Sequence, residues 1–246
     1  MLDTILNHRS IRKYKNDPVN QEILNEILQA ATMASTTGNM QVYSIIVTSE
    51  PALKERLWEA HFKQNMVLQA PLILTFCADF NRFSLWCRHR KANPGYDNFL
   101  SFMTAAIDAL LVAQNCAVAA EEKGLGICYL GTTTYNADKI IDILELPRSV
   151  VPVTTLVIGY PADDPGLTDR LPVEAVVHGE KYRNYAAEDI DRLYAEKEGL
   201  PLTKKLLEEN GLETLAQIFT EKRYTRKDNE FFSGKYLDVI RKQGFL

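Results

Sequence analysis

Cysteine is scarce in these 246 residues: Cys77, Cys87, Cys116 and Cys128 lie far apart, with no Cys-x-x-Cys pair and no matching pair of histidines. That spacing argues against a disulfide framework and against a bound metal. Three of the thiols sit in apolar runs and read as core residues of a protein from a reducing cytoplasm. Positive charge is not in excess either. Lys and Arg number 28 against 32 Asp and Glu, a formal charge of -4, so nucleic acid is not an expected partner. The longest apolar stretch, 99–120, is interrupted by Ser101, Thr104, Asp108, Gln114 and Asn115, and is expected to fall short of a membrane span. No secretory apolar region follows Met1, so no export is expected. Gly-x-Gly-x-x-Gly after a strand and Gly-x-x-x-x-Gly-Lys are both missing, which removes the Rossmann turn and the P-loop. Gly-x-Ser-x-Gly and His-Glu-x-x-His are missing too, and hydrolase readings lose their footholds.

What is there suits a soluble α+β protein: 46% hydrophobic and 24% charged residues can bury a sizeable core. Ile23, Leu24, Ile27, Leu28 and Ala31 recur at helical spacing over 20–34, with Asn20 as N-cap and Pro18 in the preceding turn. Strands are expected at 41–48, 71–78, 127–130 and 150–159. A helix is expected over 52–69, a charged helix or loop over 81–91, and another helix over 137–144. The segment 98–123, rich in Ala and apolar on nearly every face, predicts a long central helix packed on several sides and closed by Gly124 in the left-handed cap position. Arg88, His89, Arg90 and Lys91 read as solvated surface, or as an attractor of acidic substrates. From Glu188 onward Leu, Lys and Glu in helical patterns replace the β-formers. The chain is therefore divided into a core, 1–187, and a helical extension, 188–246, packed on the core or on a dimer partner.

The chemistry concentrates near the start. His8, Arg9, Ser10 and Arg12 put two guanidiniums, a hydroxyl and an imidazole within five positions, a composition matched to phosphate oxygens. The competing reading is a helix C-terminus whose cations complement the macrodipole. A small-polar segment, Ser35 to Asn39, follows the second helix. A Tyr-Leu-Gly-Thr turn follows the third strand, and Arg170 lies in a Pro/Asp-rich loop. A ligand with a phosphate at one end and a flat polar ring at the other would use all four, and flavin mononucleotide (FMN) has that shape.

Four segments together resemble the nitroreductase family of FMN oxidoreductases: His8–Arg12, Ser35–Gln41, Gly124–Gly131 and Leu156–Ala162. The match to Cys77–Arg82, Arg170–Pro172 and Lys242–Phe245 places the resemblance nearest the NADPH-dependent oxygen-insensitive nitroreductases and flavin reductases. The resemblance implies a mixed sheet flanked by helices and a cytoplasmic homodimer with two FMN sites at its interface. It implies that His8, Arg9, Ser10 and Arg12 hold the ribityl phosphate with Arg170, and that Ser35, Thr36 and Thr37 line the ring from the partner subunit. Gln64 would contact the flavin, and Tyr129, Leu130, Gly131 and Thr132 would run beside it. The implied reaction is a ping-pong hydride transfer from NADPH or NADH to nitroaromatics, quinones or free flavin, with the flavin rather than a protein residue carrying the chemistry. Departures from the family pattern are Thr168 and Asp169 before the loop arginine, Thr132 where a second Gly is common, and Ser233 where relatives place an arginine for the NADPH 2′-phosphate. Other readings are a flavin enzyme of the same fold with different reductive chemistry, such as dehalogenation, and a non-catalytic anion-binding protein.

Overall fold

The β-branched runs form four strands, β1 (Tyr43–Thr48), β2 (Leu72–Asp79), β3 (Gly126–Tyr129) and β4 (Val150–Gly159), in the order β1-β2-β4-β3. This is the arrangement of a computed structural model that describes residues 2–246. Every ladder is antiparallel, with Tyr43 opposite Ala78, Leu72 opposite Ile158 and Gly126 opposite Gly159. The parallel element expected of a mixed sheet is confined to one bridge, Ser10 to Ile127. β2 is buried at every position and β4 at all but Val153, as mostly apolar runs in central strands should be.

Helices α1 (Leu2–Leu6), α2 (Gln21–Ala31), α3 (Pro51–Ala60), α4 (Asn65–Gln69), α5 (Asn81–His89), α6 (Phe99–Glu122) and α7 (Ala137–Leu144) flank the sheet in an α+β arrangement. Asn20 caps α2 through a 2.8 Å bond from the Glu22 amide, and Gly124 takes φ +77° after α6. The span 52–69 is two helices rather than one. The Lys63 amide bonds back to Trp58 O at 2.9 Å, and Phe62 and Lys63 adopt φ +54° and +57°. This is a helix-ending motif of the kind glycine usually completes.

α6 buries Ala105, Ala109, Val112, Ala113, Cys116, Ala117 and Ala120. It is not packed on every side, however. Leu100 is 75% exposed and Ile107 50%, and Met103, Leu110 and Leu111 join them in one apolar stripe. By length and composition this helix could cross a membrane, yet half of its most apolar window is buried within the protein.

The chain separates into two compact units, one running to Gly166 and resuming at Phe232–Leu246, the other Leu167–Phe231. The composition change at Glu188 lies within the second unit. That unit contains α8 (Ala187–Gly199), α9 (Pro201–Asn210) and α10 (Leu215–Gln217), the last continuing into a π-helical turn, Ile218–Arg223. Leu193, Thr203, Leu215 and Ile218 are its buried residues. α11 (Arg226–Lys242) carries the chain back, and Val239, Ile240 and Phe245 enter a cluster of the first unit with Phe80, Phe102 and Val151.

Candidate functional site

The basic cluster is not the end of a helix. α1 stops at Leu6, and residues 10–15 run extended along the sheet: the Ile11 amide donates to Ile127 O at 2.9 Å and the Lys15 amide to Tyr160 O at 2.9 Å. Burial sorts the side chains in this segment: Ile11 and Tyr14 are buried, Arg12 and Lys13 exposed. Tyr14 is anchored by its hydroxyl, which donates to Ile11 O at 2.6 Å. Ile11 packs where Gly126 lacks a side chain, since a Cβ there would lie 2.5 Å from Ile11 Cγ1. The glycine thus lets the N-terminal segment lie against β3.

The four polar members of that segment have different fates. Arg12 is exposed and makes no ion pair among the described residues. Ser10 bridges to Ile127 of β3, and the neighbouring Cys128 thiol, which donates to Tyr129 O at 3.5 Å, is pushed up by burial against the pull of the Arg12 charge and of the Ser10 side chain. Arg9 Nε lies 3.2 Å from Asp164 Oδ1, and His8 Nδ1 lies 2.7 Å from Glu121 Oε1. Asp164 is 65% exposed, so its pairing with Arg9 is worth little and an anion can displace it. His8 is held by a carboxylate that is nearly buried, and a shared role for all four residues at one phosphate requires that pair to part.

α6 acts as a ruler for three of the predicted segments. Asp108 Oδ1 accepts from the Thr37 amide at 3.0 Å and from its hydroxyl at 3.3 Å. Gln114 Oε1 accepts from the Tyr129 hydroxyl at 3.3 Å, and Glu121 holds His8. These anchors are spaced by roughly 9 and 10 Å along the axis at 1.5 Å per residue. Asp108 is fully buried and its Oδ2 has no partner, so the loop 35–37 is tied to a carboxylate the helix holds in its interior. Within that loop Ser35 and Thr37 are exposed and Thr36 half-buried, and Gly38, Asn39 and Gln41 all take positive φ.

Beyond β3 the turn brings Leu130 inward, where its amide donates to Thr155 O at 2.8 Å, and leaves Gly131 open, with no atom within 4 Å of where a Cβ would stand. Thr132 then meets two residues from the break between α3 and α4. Gln64 Nε2 donates to Thr132 Oγ1 at 3.3 Å and to His61 O at 3.0 Å, while His61 Nδ1 lies 2.8 Å from Thr132 Oγ1. His61 is fully buried, and desolvation lowers its pKa to about 4, so the imidazole is neutral near pH 7. Burial likewise pushes the Tyr129 phenol well above its usual range.

Of the residues singled out from sequence, the first unit gathers His8 to Arg12 beside β3, and Tyr129 to Thr132 with Gln64 just past it. Ser35 to Thr37 lie on α6 at Asp108. Arg170 belongs to the second unit, where Nη1 donates to Thr168 O at 3.1 Å and Asp169 O at 3.0 Å. Asp169 in turn pairs with Lys197 at 2.6 Å. Lys235, close in sequence to the departure at Ser233, is engaged with Asn136 at 2.9 Å and Asp138 at 2.8 Å. Sequence reasoning missed His61, Asp108 and Glu121. Asp108 had a signal, a lone acid in an apolar helix, but it was read only as an interruption of that helix.

Among the described residues the exposed Arg12, the open backbone at Gly131 and the unpartnered carboxamide oxygen of Gln64 fit an elongated ligand, anionic at one end and a hydrogen-bonding ring at the other. The model of the nitroreductase family matches residues 5–160. A Bacillus subtilis protein named FMN reductase (NADPH) is 37% identical over 183 residues, 74% of each chain. A crystal structure from Bacteroides fragilis superposes with a TM-score of 0.98 at 55% identity over 99% of both chains. NfrA1 nitroreductase from B. subtilis does so with a TM-score of 0.87 at 30% identity, over 99% of this chain and 98% of that one.

Proposed function

This chain belongs to the nitroreductase family, and on that premise we propose that it is an FMN-dependent NAD(P)H oxidoreductase acting on nitroaromatics, quinones or free flavin. Bound FMN would supply the hydride acceptance and donation, in a ping-pong sequence, that no side chain here can perform. The protein's part is to bind, orient and exclude. Arg12 meets the phosphate, with Ser10 beside it and with Arg9 once Asp164 yields; His8 completes the anionic end. Gln64, Thr132 and the backbone of Tyr129 to Gly131 line the ring. The observation that carries this reading is that one rigid strand, β3, ties the unpaired Arg12 at its side to the Gln64–Thr132 pair just past its end.

The working form is a homodimer. The apolar stripe of α6 needs cover of the kind a second copy provides, and Ile107 in that stripe directly precedes Asp108, the anchor of the loop 35–37. Pairing at the stripe sets Ser35, Thr36 and Thr37 against the partner's flavin. The four free, buried cysteines agree with a cytoplasmic protein. The test is direct: purified protein should be yellow and should oxidise NADPH or NADH in the presence of menadione, nitrofurazone or FMN. Colourless protein that takes up no added FMN overturns the reading.

A further inference from the structure

The break between α3 and α4 spends unusual backbone conformations on placing one buried imidazole. Phe62 and Lys63, neither a glycine, take left-handed φ so that the chain turns back after His61 and presents Gln64 beside it. Local conflicts of this kind concentrate where a site demands them. His61 has a single side-chain partner, Thr132, and its Nε2 is buried with none. Being neutral, it carries one N–H. Placed on Nε2, that hydrogen would be a buried donor without an acceptor, the rarer kind of orphan in folded proteins. Placed on Nδ1, it is satisfied at 2.8 Å by Thr132 Oγ1.

The remaining polarities follow from this choice. Both hydrogens of Gln64 Nε2 are committed, one to His61 O and one to Thr132 Oγ1. Its amide cannot be turned over, because an oxygen would then face the His61 carbonyl. Gln64 Oε1 is therefore an acceptor without a partner. Thr132 Oγ1 receives two hydrogens, from His61 and from Gln64, so its own O–H is a donor left for something else.

We propose that His61 is a positioning residue that polarises the Gln64–Thr132 pair, leaving a carboxamide acceptor beside a hydroxyl donor as the recognition element for a ring edge that presents an N–H next to a carbonyl. The proposal rests on the FMN reading, since the flavin ring carries such an edge. It depends on the hydroxyl of Thr132, because a glycine at position 132 has none to polarise.

Two measurements test it. The ¹⁵N spectrum of the histidines in the protein without added flavin should show His61 with a protonated Nδ1 and a bare Nε2; the opposite tautomer overturns the proposal and leaves the FMN reading untouched. FMN affinity by quenching of flavin fluorescence should then fall about tenfold in His61→Leu and in Thr132→Val. It should return to within threefold of wild type in His61→Asn, whose amide N–H can stand where Nδ1–H stood. The double variant should be no worse than Thr132→Val alone. A His61→Asn protein as weak as His61→Leu, or independent losses that multiply in the double variant, overturns the proposal. Should His61→Leu fail to fold, Thr132→Val, which changes a half-buried position at constant size, decides alone, and unchanged affinity there overturns the proposal. Wild-type protein that binds no FMN defeats the underlying function instead.

Discussion

At the scale of single residues, the N-terminal segment depends on one missing methyl group. Gly126→Ala would put a Cβ 2.5 Å from Ile11 Cγ1 and 2.7 Å from Ile11 Cβ, atoms too close to the backbone to swing aside. Overpacking of this kind destabilises by about 1–3 kcal/mol. A lower urea midpoint together with weakened FMN binding is expected, because Ile11 and Arg12 move as one strand. Arg12→Ala removes the one cation of the 8–12 cluster singled out from sequence that has no ion-pair partner among the described residues. Its loss should weaken FMN binding by roughly ten- to a hundredfold, the worth of a charge-assisted contact, with little change in the urea midpoint. His61 makes a prediction about pH. Its imidazole titrates near 6.5 when unfolded and at about 4 in the folded protein. Between those values only the unfolded chain binds the proton, so stability falls as pH drops below about 6.5 and the penalty is complete near pH 4, at roughly 3 kcal/mol. Melting curves of wild type and His61→Asn should converge over that interval. Parallel curves would show that His61 titrates normally.

At the scale of elements, the loop 35–41 holds its place through α6. Asp108→Ala leaves the Thr37 amide and hydroxyl without their acceptor, which should destabilise by about 1–3 kcal/mol. Faster hydrogen exchange confined to the loop is the measurement. That helix and the four strands were legible because their patterns are strong: alanines recur along α6, and β2 and β4 are mostly apolar runs broken only by Thr and a terminal Asp. The division of 52–69 was not legible, because the positions that turn the chain carry Phe62 and Lys63 where a reader looks for Gly. The basic cluster at 8–12 was legible as a set of residue types, but its carboxylate partners were not. Glu121 and Asp164 lie more than a hundred residues away, and only folding reveals that they already occupy His8 and Arg9. The network of His61, Gln64 and Thr132 was half visible for the same reason, its histidine having no neighbour in sequence that marks it.

At the scale of the whole molecule, the question is what covers α6. An apolar row from Leu100 to Leu111, left open by the chain's own packing, makes the helix look central in sequence, although within one chain only one of its faces is buried. In the proposed homodimer a second copy covers the row and makes the site composite, because the loop tied to Asp108 stands beside the row and would face the partner's flavin. The two roles can be separated from stability. Ile107 is half exposed, so Ile107→Glu adds a charge to the row without entering the core of its own chain. The variant should melt within a few degrees of wild type at low concentration, sediment as a monomer where wild type sediments as a dimer, and bind FMN at least tenfold more weakly. A monomer that keeps full affinity would remove Ser35, Thr36 and Thr37 from the flavin site. A variant that stays dimeric with a charge at 107 would move the interface off α6 altogether.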